Sequence, residues 1–380
     1  MEDPRLYRLA KVLVDYSTEV RAGDLVRIAG SFITRPLMAA VYRAVLEAGG
    51  HPIPEVTFED AGWLLLEHGT EDQLRFEDPV QLYTIERVDV SIGLLGSENT
   101  KALSPYDPKK QALLTQAAKR RLNRLMERAA QGQLRWVVTQ FPCPAAAQDA
   151  YMSLSAYERF VFRAGMLHLE DPVAFWRGLS EQQERLVDFL SKVKELRFVT
   201  PQGTDLRLNV EGRRWISCSG KNNFPDGEVF TGPVEDATEG MVVVSFPAVY
   251  QGREVDGIRL RFRAGRVIEA SAAREEAFLI SMLDQDQGAR VVGEIAFGTN
   301  YGITHYTRNT LFDEKIGGTF HFALGAAYPE TGGKNVSGLH WDLVVDLRKG
   351  GEVYADGRLI LRDGRFLDPS WPQPTDGWPT

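Results

Sequence analysis

LRFVTPQGTDLRLNV, residues 196–210, is where the texture of the chain changes. Leu196 and Phe198, then Leu206, Leu208 and Val210, alternate with polar neighbours at a period of two. The two runs meet at Pro201-Gln202-Gly203, so the stretch predicts a β-hairpin turning at Gly203. Toward the C-terminus the texture recurs. IRLRFRAGRVIEA (258–270) and EVYADGRLILRDGRFL (352–367) read as hairpins turning at Gly265 and Gly357, with one helix predicted over residues 271–287. Toward the N-terminus it does not. DLVRIAGS, PIPEVTF, VDVSIGLL and RWVVTQF read as strands, separated by helical periods in RPLMAAVYRAVLEAGG, in residues 108–132 and in SEQQERLVDFLSKVKEL (180–196). Strands alternating with helices predict an α/β N-terminal domain with a largely parallel sheet over residues 1–194. An α+β, mainly antiparallel C-terminal domain is predicted over residues 195–380.

Two domains also suit a length of 380 residues, beyond the size at which one core stops growing. The composition is 43% hydrophobic and 25% charged with a net charge of -8, and no basic tract is long enough to track phosphates, so no nucleic acid partner is expected. No run reaches the roughly 18 apolar residues of a membrane span, and MEDPRLYRLAKVLVDYS reads as an amphipathic helix rather than a targeting segment. No membrane partner is expected, and a cytoplasmic location is. Cys143 and Cys218 lack a CxxC partner and read as structural thiols of a reducing compartment. DPSWPQPTDGWPT, with four prolines, predicts an irregular tail packed by its tryptophans, Trp371 and Trp378, or left mobile. Neither GxGxxG nor GxxxxGK[ST] follows the first strand, and no GxSxG elbow occurs, so nucleotide binding and serine hydrolase chemistry have no support. His51, His68 and His168 have no carboxylate company and read as surface or packing residues.

Chemistry gathers in the second half. In residues 339–347 alternation puts Leu339, Trp341, Leu343, Val345 and Leu347 on one face and His340, Asp342, Val344 and Asp346 on the other. Glu228 in PDGEVFTGPVEDATEG, Glu294 in VVGEIAFGTN, and Glu314, His321 and Tyr328 in LFDEKIGGTFHFALGAAYP sit in similarly apolar, glycine-flanked settings. Each alone has a plain structural reading: a strand-end glutamate, a hydrogen-bonded core histidine, an exposed Asp-Glu-Lys turn, a tyrosine anchoring a loop. Together, four carboxylates and two imidazoles beside apolar residues would need positive charge between them if they converge. Mixed carboxylate and imidazole donors suit Zn²⁺, Co²⁺ or Mn²⁺ better than calcium or a thiolate site. Six donors exceed the three protein ligands of an ordinary catalytic zinc, and two ions sharing one carboxylate fits the count. Asp346 lies about 13 Å of strand rise beyond His340 and is left out of the set.

In order along the chain, PDGEVFTGP, TEG, GEIAFGTN, DEK, HFALGAAYP and HWD resemble the thermophilic aminopeptidase family of metallopeptidases, M29 or aminopeptidase T type, strongly over residues 195–360 and more loosely before. The resemblance implies a dinuclear exopeptidase acting on peptides with a free N-terminus, assembled as a homodimer, with two divalent ions, cobalt, zinc or magnesium, and manganese as a further candidate. It implies that Glu228 is a terminal ligand, that Glu294 bridges both ions and handles the proton of a bridging water, and that His321, His340, Asp342 and Glu314 complete the set. Tyr328 resembles the family's catalytic tyrosine, which donates to the oxyanion, while one ion holds the free α-amine. A dinuclear hydrolase of another bond, such as a dipeptidase or amidase, and a non-catalytic metal-stabilised binding protein remain the alternative readings.

Overall fold

The computed structural model describes residues 3–375. Trp378 of the expected tail lies outside them; Trp371 is buried and packs on Phe189 and Phe366 at ring distances of 4.7 and 5.9 Å. The chain forms two compact units, Met1–Val173 with Gly220–Pro225 and Ala174–Ser219 with Asp226–Thr380.

The first unit contains a parallel sheet in the order His51–Thr57, Leu25–Ser31, Val90–Leu95, Arg135–Gln140, Asn223–Phe224. Parallel neighbours need long crossovers, which helices Arg35–Glu47, Pro79–Arg87 and Pro108–Ala130 help to supply. Val26, Ile28, Val90, Ile92 and Val137, which the register sets on one face, are fully buried, while Arg27, Ala29, Trp136 and Val138 on the other face are half-buried. The N-terminal helix forms over Pro4–Lys11, capped by Asp3, and continues as a wider turn to Ser17.

The second unit is built from two antiparallel sheets and a short hairpin. One has eight strands, in the order Arg266–Ser271, Arg259–Arg263, Glu239–Val243, Asp205–Asn209, Glu195–Val199, Glu352–Ala355, Arg358–Arg362, Arg365–Phe366. The three hairpins turn at Gly203, Gly265 and Gly357; at Gly265 a Cβ would stand 1.8 Å from the Glu235 carbonyl oxygen. The other has five strands, His340–Asp346, Thr319–Gly325, Val292–Gly298, Glu228–Thr231 and Ile216–Cys218. Its apolar face packs on the eight-stranded sheet: Phe198 stacks on Phe320 at 4.2 Å and Phe262 meets Phe322 edge-on at 6.2 Å.

These units divide the chain differently from the expected single cut at residue 195. The helix runs Pro172–Leu190 rather than from 180 to 196, and Leu186 and Leu190 are buried in the second unit's core. Gln183 on this helix is fully buried, and its Nε2 donates to the Cys218 and Glu228 carbonyls at 3.0 and 3.2 Å. Residues 220–225 return to the first unit because Asn223–Phe224 extends its parallel sheet. The helix expected over 271–287 is shorter, Glu276–Leu283, with Ala272 and Ala273 still in extended or turn structure before it.

Candidate metal centre

The outer face of the five-stranded sheet carries the polar residues. Trp341, Leu343 and Val345 point into the core, which leaves His340, Asp342 and Val344 on the other side. Likewise Phe320, Phe322 and Leu324 point inward, and His321 and Ala323 outward. The Glu294 strand does not follow simple alternation. Val292, Ile295 and Phe297 all belong to the core, and the phase is corrected by a bulge between Val292 and Glu294, which places Val292 opposite Leu324 but Glu294 opposite Ala323. The extra residue is Gly293, where a Cβ would lie 2.3 Å from the Ala326 carbonyl oxygen. Glu228 opens its strand after Gly227, whose φ of +125° and close approach to Asn300 exclude a side chain.

Cross-strand pairing then sets the spacing. Glu294, Ala323 and Asp342 lie in one row and Phe230, Ala296, His321 and Val344 in the next, so small alanines separate the donors. His321 Nε2 lies 3.4 Å from Glu294 Oε1 and 3.5 Å from Glu228 Oε2; His340 Nε2 lies 3.5 Å from both Glu294 Oε2 and Asp342 Oδ1. Each imidazole is oriented from behind, because its Nδ1–H donates to a carbonyl, that of Glu314 for His321 at 2.8 Å and that of Ala326 for His340 at 2.9 Å. This leaves both Nε2 atoms toward the carboxylates, the arrangement of metal-binding histidines.

Among the described residues, four groups offer three donor atoms within 4.8 Å of one another. Three interlock: Glu228, Glu294, His321; Glu294, His340, Asp342; and Glu314, His321, Asp342. All six residues expected as ligands are thus brought together. Burial pushes the Glu228 carboxyl up to about 8 despite Lys315, and burial also raises Glu314. Burial opposes charge on the imidazoles, yet Glu294 and Glu228 hold His321 up to about 10, and Asp342 and Glu294 hold His340 up to about 9. Burial acts most strongly on Asp342 and would raise it, but the hydrogen bond and charge of His340, with His321 and Lys315, together lower its pKa. Without a cation the site binds protons where a metal would otherwise sit. Glu228 Oε2 is buried without any hydrogen-bond partner, and the donors are oxygen and imidazole nitrogen, so the residues fit divalent ions of the zinc and cobalt type.

Tyr328 stands at the edge, 42% exposed, its ring 5.2 Å from that of His340 and 5.4 Å from that of Phe230. Burial of the hydroxyl, with Glu294 and Asp342 nearby, raises its pKa and keeps it protonated. Asp346 is engaged elsewhere, bound to Arg348 at 2.8 Å.

One local reading changes. The Asp-Glu-Lys segment is not an exposed turn: Asp313 is buried and accepts from the Thr307 N–H and hydroxyl at 2.7 and 2.9 Å, while Lys315 is completely buried. Lys315 Nζ hydrogen-bonds Glu314 and lies 3.5 Å from Glu228 Oε1, a contact sequence reasoning missed; the only signal was a lysine directly before the apolar IGGTF. Cys218 groups with Asp226 and Glu228, where burial first and then these carboxylates raise the thiol pKa well above its ordinary value. His51, His68, His168 and His305 are exposed. No helix among the described residues is long and apolar enough to cross a membrane.

Residues 2–366 match the family model described as thermophilic metalloprotease (M29). Aminopeptidase 2 of Geobacillus stearothermophilus is 27% identical over 96% of this chain and 98% of its own length, and aminopeptidase T of Thermus thermophilus is 30% identical over 72% and 75%. The solved structure of wild-type AmpT from Thermus thermophilus superposes with a TM-score of 0.82 at 24% identity, covering 96% of this chain and 99% of that one. A 2,5-dihydroxypyridine dioxygenase from Pseudomonas putida KT2440 shares the fold more distantly, with a TM-score of 0.58 at 14% identity over 96% and 97%. The chain belongs to the thermophilic metalloprotease family M29, a class of metal-dependent hydrolases.

Proposed function

We propose that this protein is a metalloaminopeptidase that releases N-terminal residues from peptides at a dinuclear centre sharing Glu294. The observation that carries the reading is the overlap at that residue: Oε1 faces His321 and Oε2 faces His340, so one carboxylate belongs to two donor sets. The aminopeptidase relatives support the substrate class. Two divalent ions, cobalt, zinc or magnesium, held by Glu228, Glu294, Glu314, His321, His340 and Asp342, would supply a bridging water of lowered pKa and polarise the scissile carbonyl.

The chain's own residues do the rest. Glu294 accepts the proton of the attacking water and returns it to the leaving amine. Tyr328, protonated across the working range, donates its hydroxyl to the oxyanion as charge develops there. Glu314 and Asp342 also line a cavity of about 20 Å³ with Pro247, Ala248 and Tyr306, room for one water-sized group. The free α-amine would be anchored by one ion held by these carboxylates, and an internal peptide bond offers no such amine, which would give exopeptidase action. A homodimeric assembly belongs to the same reading on the resemblance of the motifs, and a cytoplasmic setting on cysteines that suit a reducing compartment.

Glu294→Gln tests it with leucine p-nitroanilide and added Co²⁺ or Zn²⁺. The expected result is a loss of kcat/KM of about a thousandfold or more, since several kcal/mol of barrier lowering depend on the centre, together with fewer bound ions by elemental analysis. Undiminished turnover sinks the bridging role.

A further inference from the structure

Lys315 has no part in the reaction described above, yet it is the most thoroughly enclosed cation near the centre. Its side chain is 0% exposed, and its backbone is fixed on both sides: its N–H donates to the Phe312 carbonyl at 3.0 Å and its carbonyl accepts from Asn300 N–H at 3.1 Å. The ammonium therefore has little freedom to choose partners. It hydrogen-bonds Glu314 Oε1 and lies 3.5 Å from Glu228 Oε1. The second oxygen of Glu228 is treated differently, since Oε2 is buried, has no hydrogen-bond partner and lies 3.5 Å from His321 Nε2.

We propose that Lys315 is a positioning residue of the metal centre: it ties one oxygen of Glu228 and one of Glu314, so that each carboxylate offers its other oxygen to a cation as a single terminal donor. The inference rests on the metal-centre reading and deepens it. A buried carboxylate free to rotate can chelate one ion with both oxygens, which would consume coordination positions that water and substrate need. An ammonium holding one oxygen prevents that, as groups behind a ligand commonly fix its orientation. A simple electrostatic account predicts the reverse outcome. A fixed positive charge close to two divalent ions repels them, so if Lys315 acted only through its charge, removing it would tighten metal binding.

The test uses full-length protein stripped with chelator and titrated with Co²⁺, read by visible absorption and by competition with a chromophoric chelator. Lys315→Met is expected to weaken Co²⁺ binding about 10- to 100-fold, and to lower the intensity of the visible bands as the released carboxylates raise the coordination number. Lys315→Arg, which keeps a cationic donor, should lie closer to wild type in both measurements. An unchanged affinity and spectrum for Lys315→Met overturns the proposal, and so does a tighter affinity. A purely structural lysine would lower the melting temperature of the metal-free protein without altering the spectrum, which also overturns it. If Lys315→Met does not fold by circular dichroism, Lys315→Gln is titrated in its place and judged on the same outcomes. Wild-type protein that takes up no Co²⁺ overturns the metal-centre reading itself, a result distinct from a failure confined to the lysine variants.

Discussion

The parallel sheet of the first unit and the five-stranded antiparallel sheet of the second both carry charged side chains among apolar ones, but they balance them differently. In the parallel sheet Arg27 meets Glu55 on the neighbouring strand at 2.6 Å and also reaches Ser91, and Arg135 meets Asp24 at 2.7 Å. Each carboxylate has its cation. On the antiparallel sheet and the segment beside it, Glu228, Glu294, Glu314 and Asp342 converge with Lys315 as the one lysine or arginine paired to them among the described residues. Paired charge holds two strands in register, whereas surplus negative charge at low exposure is tolerable only if protons or metal ions join it. The imbalance, more than the presence of polar residues, separates the functional sheet from the scaffold.

The contrast can be broken most sharply at Tyr328. Tyr328→Phe is expected to lower kcat about 10²- to 10³-fold, as loss of one oxyanion donor does elsewhere, with the metal content unchanged by elemental analysis. Full activity at normal metal content removes the hydroxyl from the mechanism.

A pair of core truncations sharpens the division of labour. Ile28→Ala in the parallel sheet should cost about 2–5 kcal/mol and Trp341→Ala in the antiparallel sheet about 3–5 kcal/mol by denaturant unfolding. Their effects on metal binding by the folded protein should differ. Ile28→Ala is expected to leave metal affinity intact, while Trp341→Ala, which removes the ring packed against Tyr250 and Phe278 behind His340 and Asp342, should weaken it. Equal effects on metal affinity would argue that the two sheets do not act separately.

The smallest expected effect is in the pH dependence of the metal-free protein. Glu228, His321 and His340 all have folded pKa values above their ordinary ones, at about 8, 10 and 9. The folded state therefore holds more protons than the unfolded chain from about the ordinary carboxylate pKa upward. For the histidines, the associated stability is present below about 6.5 and is lost as pH rises through 9 and 10; for Glu228 it declines from about 4.5 to 8. Asp342, lowered instead, contributes stability that is lost only as pH falls through the acid range. The melting temperature of stripped protein should thus fall by a few degrees between pH 6 and 9, and added Zn²⁺ should flatten the slope. A rise over that interval contradicts the assigned shifts.

Much of this was readable before any coordinates. Period-two alternation identified the strand bearing His340 and Asp342 and the one bearing His321, because there one face is core and the other is not. Turn glycines identified the hairpins at Gly203, Gly265 and Gly357. What stayed hidden depended on distant partners. Asn223–Phe224 is too short to announce itself as a strand and exists because Val138 and Thr139 pair with it. Gln183 gave no hint that its helix is laced to the second unit. The Asp-Glu-Lys segment looks solvent-exposed by composition, and its burial follows from Thr307, six residues before Asp313, and from Asn300 and Glu228 farther back along the chain. Glu294 was found, but strict alternation would have placed it on the same face as Val292.

That last discrepancy has a consequence for how the strand tolerates change. Gly293 works on side-chain direction as an extra letter works on a reading frame: every residue after it is read one step out of phase with those before it. Deleting it would bring Val292 and Ile295 two positions apart, and uniform alternation would then keep both in the core with Glu294 between them on the other face. Held in register from the Val292 end, the shortened strand would still set Glu294 opposite Ala323 and Ile295 opposite Phe322, because the partner strand has no residue facing Gly293. Elsewhere along this strand the loss of one residue would exchange inside for outside beyond the gap, while at Gly293 both faces would survive it.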